Sequence, residues 1–184
     1  MSEDSAAKHR AKQTVINLLL SLAASLGVML AIILIVPRDD SNRIKPVDHI
    51  ALAEGASAAA GRPVLGIPLP EGWWANHATW VATAADGVDY WEVGFVGPKN
   101  QYIGLTQAFE VNPTWVALRS AGFIPDSSTT GSANWLKLTP GPNVDADPVL
   151  WTLETDGDFV SLEGNATAEE FSEFAELVEK ELSE

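Results

Sequence analysis

The sequence predicts an α+β fold: an N-terminal transmembrane helix, then a largely antiparallel sheet packed with helices as an α/β sandwich. Three observations predict it. The run from Val15 to Val36 carries no charged residue. Alternating apolar strands joined by Gly, Asp and Pro turns dominate the stretch from Trp73 to Glu163. Helix signals precede, interrupt and follow those strands, and hairpins with helices packed on one face define this class.

The apolar run reads VINLLLSLAASLGVMLAIILIV. At 1.5 Å per residue, about 22 residues reach roughly 33 Å, enough to cross a hydrocarbon core of about 30 Å. Asn17, Ser21 and Ser25 do not form the polar face a soluble core helix needs. The run exceeds a signal-peptide h-region of about 7–15 residues, and Val36-Pro37-Arg38 is no small-residue cleavage site. The expected division is a cytoplasmic tail over 1–14, the span over 15–36, a stalk over 37–46 and an exported domain over 47–184. Lys8, Arg10 and Lys12 flank the span on one side, and Arg38, Arg43 and Lys45 on the other. The compactness of the first cluster and the local offset of Arg38 by Asp39 and Asp40 favour an N-terminus inside and a C-terminal domain outside the plasma membrane. Within the span, Ala23, Gly27 and Ala31 form a ladder of small residues that permits close helix approach.

Beyond Pro46 the chain holds five Lys/Arg against twenty-one Asp/Glu. That excess of negative charge argues against nucleic acid and against anionic lipid headgroups as partners. The absence of cysteine excludes disulfides, thiolate metal sites and thiol nucleophiles. A domain of about 140 residues must then hold itself together by burial, and near 150 residues about 68–70% of the unfolded surface is buried.

Val47, Ile50, Ala51 and Glu54 fall on helical spacing in an Ala-rich segment that Gly61 ends. Pro63, Pro68 and Pro70 make the next stretch extended, and Pro70-Glu71-Gly72 turns it. Strands are expected from Trp73 to Ala82, Tyr90 to Val96 and Gln101 to Phe109. Gly94 and Gly104 interrupt the latter pair, as at a bulge or a close backbone approach. Asn112-Pro113 starts a helix that ends by Gly122. Ser127 to Ser132 is a loop, and Asn134 to Thr139, Val149 to Thr155 and Asp158 to Glu163 are strands. Thr167-Ala168-Glu169-Glu170 is a capping box opening a helix with Phe171, Phe174, Ala175, Val178 and Leu182 on one face.

The anchor, Arg43 to Asp48, Gly72-Trp73, Trp91 with Gly94, Gln101-Tyr102, Leu105 with Gln107, Trp115, Gly131 and Trp135 together resemble a family of uncharacterised single-pass membrane proteins of high-GC Gram-positive bacteria, an actinobacterial domain of unknown function. The resemblance implies a cell-envelope location and brings no activity and no catalytic residues. The Pro70-to-Trp73 entry and alternating strands also resemble the Mog1/PsbP-like sandwich.

Candidate sites are few. His77 is the one histidine in the strand region, yet no nucleophile-elbow glycine motif frames a serine for it to activate. Asn143 to Asp147 imitates half a calcium loop, but Pro148 stands where a glycine must turn the chain. Asn165-Ala166-Thr167 matches a glycosylation sequon and serves better as turn and N-cap. No cofactor, metal site or catalytic constellation is expected. Six of the seven tryptophans fall between Trp73 and Trp135; Trp91 shares a strand parity with Val93 and Phe95, which favours the core. Trp73 and Trp74 cannot both point inward in a regular strand. Trp73, Trp74 and His77 are therefore the expected ligand or partner contacts. The favoured function is a non-enzymatic envelope module that binds a protein or wall component; a Trp-lined pocket for a small ligand or lipid and an unrecognised hydrolase are the alternatives.

Overall fold

The structure, a computed structural model, describes residues 3–35, 44–82, 86–126, 135–142, 148–155 and 157–183. Most of the stalk, the Ser127-to-Ser132 loop and the calcium-like Asn143-to-Asp147 segment lie outside the described residues. The chain divides into two compact units, Met1–Arg43 and Ile44–Glu184. The first is built on helix α1, Glu3–Ile35. Its stretch Lys12–Leu34 is long and apolar enough to cross a membrane, a description that a retained anchor and an export signal both meet.

The second unit is a seven-stranded sheet in the order β1-β2-β3-β7-β6-β5-β4, with every pairing antiparallel. The strands are β1 Trp74–Val81, β2 Asp89–Val96, β3 Tyr102–Phe109, β4 Phe123–Pro125, β5 Leu136–Pro140, β6 Val149–Thr155 and β7 Asp158–Gly164. Helices α2 His49–Ala60 and α4 Ala168–Leu182 enclose the α+β pattern, and α3 Pro113–Arg119 falls between β3 and β4.

Strand parity sorts the residues into two faces. On the inner face the register lines up Trp91, Gln107, Val160 and Leu153 in one row, and Val93, Leu105, Leu162 and Trp151 in the next. These side chains form the main core with Phe171, Phe174, Ala175 and Val178 of α4 and Ala53 and Ala56 of α2. The extended Pro63–Ile67 segment joins this layer, with the Leu65 N–H donating to Gln107 Oε1 at 2.8 Å. His49 is buried; its Nε2–H donates to the Ile67 carbonyl at 2.8 Å, and its ring meets Phe95 edge-on. The α2 helix thus buries His49, Ala53 and Ala56, leaving Ile50 at 42% exposure. Small alanines let the helix lie close to the segment it covers, a choice that apolar spacing alone misreads.

The expectation that helices cover one face holds for α2 and α4 and fails for α3. Trp115 of α3 packs on Phe159, Ala108 and Val88, residues of the opposite, outer parity. The cap is as expected: Asn112 Oδ1 accepts from the Trp115 N–H at 2.9 Å, with Pro113 at the first helical position. The seven-residue helix is anchored by one large ring.

At α4, Thr167 Oγ1 accepts from the Glu170 N–H at 3.3 Å, and the Glu170 carboxylate accepts from the Thr167 N–H at 2.8 Å. Slight burial pushes the Glu170 carboxyl up. Bonds from the Thr167 backbone, the Gln101 amide and the Thr167 side chain, with the charge of Lys99, outweigh it and hold the carboxyl below the ordinary glutamate range. A carboxyl lowered in the folded state contributes stability above its unfolded pKa of about 4.3, and that contribution is lost as pH falls through the folded value. Glu170→Gln keeps the cap without the charge. Its thermal melts are therefore expected to lie below the parent's at pH 7 and to converge with them as pH falls between about pH 5 and pH 3.

Candidate functional site

Trp73, Trp74 and His77 enter the fold at the start of β1. Trp73 precedes the strand and turns inward, its ring 4.7 Å from that of Phe174. Trp74 opposes Val96, whose parity is outer. A bulge at Asn76 then shifts the register, so that His77 rather than Asn76 opposes Gly94. In a regular strand Trp74 and His77 would face opposite ways; the extra residue brings both to the outer face. The structure thus separates Trp73 from the other two and joins Trp74 and His77.

The outer face beside them is cut low by glycine. Gly94 and Gly104 are cross-strand partners. A side chain at Gly94 would collide with the His77 ring, whose Nδ1–H donates to Asn76 Oδ1 at 2.8 Å. A Cβ at Gly104 would meet the Tyr102 hydroxyl oxygen at 3.1 Å, so the Tyr102 ring leans over that glycine. The two glycines therefore explain each other's neighbours: each admits one ring against the sheet.

From Gly104 a groove of about 290 Å³ extends past Glu92, Thr106, Arg119, Pro148 and Glu163. Arg119 reaches it from the last turn of α3. Its guanidinium is held between the rings of Tyr90 and Trp115, 5.5 and 5.3 Å from their centroids. It donates to Thr106 Oγ1 at 3.4 Å and lies 3.7 Å from Glu92. The Tyr102 hydroxyl is pushed above the ordinary tyrosine range by burial first, then by the charges of Glu92 and Glu163. It stays an O–H donor at neutral pH. The groove thus mixes donors (Arg119, Tyr102) with acceptors (Glu92, Glu163, Thr106) beside an aromatic ring.

The remaining tryptophans are packing residues. Trp91, Trp135 and Trp151 are buried in the main core, Trp73 and Trp80 pack against it, and Trp115 lies in the smaller core. Trp74 belongs to neither, nor does Tyr102. A larger hollow of about 500 Å³ opens between α3 and the β6–β7 turn. Its one carboxylate with a basic partner, Asp158, already pairs with Arg62 across the domain. Among the described residues no three His, Asp or Glu side chains converge as a metal set.

Sequence reasoning missed the outer-face groove of Tyr102, Arg119, Glu92 and Glu163. The available signal was parity: Tyr90, Glu92 and Gly94 share a face opposite Trp91. The pairing of Gly94 with Gly104, and of Gly104 with Glu163, needed the register.

The fold and this face define a class: an antiparallel α+β domain following a helix apolar enough for a membrane, with aromatic rings laid over glycines on one sheet face. Residues 10–178 match the family described as protein of unknown function (DUF4245), and the chain belongs to that family. Neither the curated proteins nor the solved structures gave a match to this chain.

Proposed function

We propose that this chain is a single-pass membrane protein, N-terminus in the cytoplasm, whose extracytoplasmic domain works without catalysis as a binding or accessory module of the cell envelope. One observation carries the binding role. Trp74 and Tyr102 stay out of both cores and stand half-buried on the same sheet face, with His77 over the glycine floor between them. Large aromatics kept near the surface beside fixed polar groups are the composition of recognition surfaces. The rings that a Trp-lined lipid pocket would need are already packed in the interior. The family resemblance to envelope proteins of high-GC Gram-positive bacteria, and the excess of carboxylates beyond the span, support the location.

Site-specific photo-crosslinking in cells tests the role. A crosslinking residue at Thr79, exposed on the outer face, is expected to give a discrete adduct, and one at Glu173, exposed on α4, is not. Equal labelling from both positions would remove the outer face as the binding surface. Orientation is tested separately, in a chain with no native cysteine to interfere. Thr114→Cys should react with a membrane-impermeant thiol reagent in intact cells and Ser5→Cys should not; the reverse pattern inverts the topology.

A further inference from the structure

We propose that the outer face of β1 to β3 binds a linear, uncharged glycan of β-linked pyranose rings that runs across the strands, stacking on Trp74 and Tyr102. This rests on the outer face being the binding surface and adds the ligand class and its direction. Six of the seven tryptophans serve the cores, so Trp74 is the exception, and Tyr102 shares its row through Val96. Two inter-strand steps of about 4.8 Å separate the strands that carry them, roughly 10 Å in all. An extended β-linked chain repeats its ring face over a similar distance every second sugar. Positions two strands apart in one row are therefore spaced to meet alternate sugars of one chain.

The floor and walls agree with that ligand. Gly94 and Gly104 let the His77 and Tyr102 rings lie low against the sheet, so neither stands up in the way of a sugar ring. A sugar hydroxyl both donates and accepts, and the groove offers both kinds of partner: Arg119 and the Tyr102 hydroxyl donate, while Glu92 and Glu163 accept. A simple ion would use one sign only. Arg119 is already oriented by its two flanking rings and Thr106, so little freedom is lost on binding. The charge balance beyond Pro46, five basic against twenty-one acidic residues, repels polyanionic wall polymers and leaves an uncharged chain unopposed.

The test is calorimetric titration of the full chain in lipid nanodiscs with the hexamer of N-acetylglucosamine. Saturable binding is expected, weakened about tenfold or more by Trp74→Ala and by Tyr102→Leu, the scale of losing an aromatic anchor. Tyr102→Leu keeps apolar cover over Gly104 without a stacking face, and Tyr102→Phe, which keeps the stacking face and loses only the hydroxyl donor, should fall between that variant and the parent. The dimer, too short to reach both rings, should bind at least about tenfold more weakly than the hexamer. Hexamer binding that both substitutions leave unchanged overturns the proposal. So does tighter binding of a lysine-rich peptide than of the hexamer, which would assign a basic protein partner. No hexamer binding alongside a persistent Thr79 crosslink overturns the glycan and leaves the binding face standing; loss of both removes the face as well.

Discussion

Phe174→Ala will destabilise the C-terminal domain by about 3–5 kcal/mol, the usual cost of deleting a fully buried phenylalanine ring. The ring has 0% exposure and sits between Trp73, at 4.7 Å, and Phe95, at 5.4 Å. Its removal loses the transfer energy of the ring and leaves a hollow under α4 that neighbours on three separate elements cannot all move to fill. Against a typical domain stability of about 5–15 kcal/mol, the loss is a third or more. Thermal melts of the variant should fall by about 10 °C or more. Leu182→Ala, on the same helix face but 40% exposed, should stay within about 1 kcal/mol of the parent. Leu182 fits the apolar pattern of α4, yet its side chain is largely left to solvent. Equal melting of Phe174→Ala and the parent would mean that α4 does not close the core.

Gly164→Ala is the second large effect, expected at about 3 kcal/mol or more because backbone cannot rotate out of the way. Gly164 ends β7, paired with Ile103 on one side and Val149 on the other. An added Cβ would overlap the Tyr102 carbonyl oxygen and stand 2.8 Å from its carbon and 3.1 Å from Ile103 Cα. β3 and β7 must part there, breaking the bonds from the Asn165 N–H to the Tyr102 carbonyl and from the Tyr102 N–H to Asn165 Oδ1. Gly55→Ala makes the contrast. Nothing lies within 4 Å of its Cβ position in α2, so alanine should stabilise by about 0.5–1 kcal/mol. Opposite signs for the two glycines, read from urea midpoints, would establish close approach at β3–β7. A Gly164→Ala variant as stable as its parent would deny it.

Much of the fold is legible locally. Asn112-Pro113 and Thr167 to Glu170 announce helix starts because a side-chain acceptor must satisfy free N–H groups within one turn, and both caps form. The parity of Trp91, Val93 and Phe95 identifies the buried face of β2 because alternation is a property of any strand. Other elements leave no such mark. β4 is three residues, two of them exposed, and it exists because Leu138 and its neighbours offer a pairing edge. The Asn76 bulge is set by its partner strand, since nothing in Trp74-Ala75-Asn76-His77 distinguishes a bulge from regular pairing.

By itself, then, the sequence determined an apolar helix long enough for a membrane, an antiparallel α+β domain, its caps and hairpins, and the separation of Trp73 from Trp74. Composition and periods of two or 3.6 residues carry that information, and each acts within a single element. Only the tertiary structure decided that α3 covers the outer face, that Trp74 and His77 share that face, and that Tyr102, Arg119 and Glu163 border it. Those relations depend on pairings as distant as Tyr102 with Asn165, 63 residues apart. Register between strands so separated is chosen by the summed burial of whole rows, which no single segment encodes.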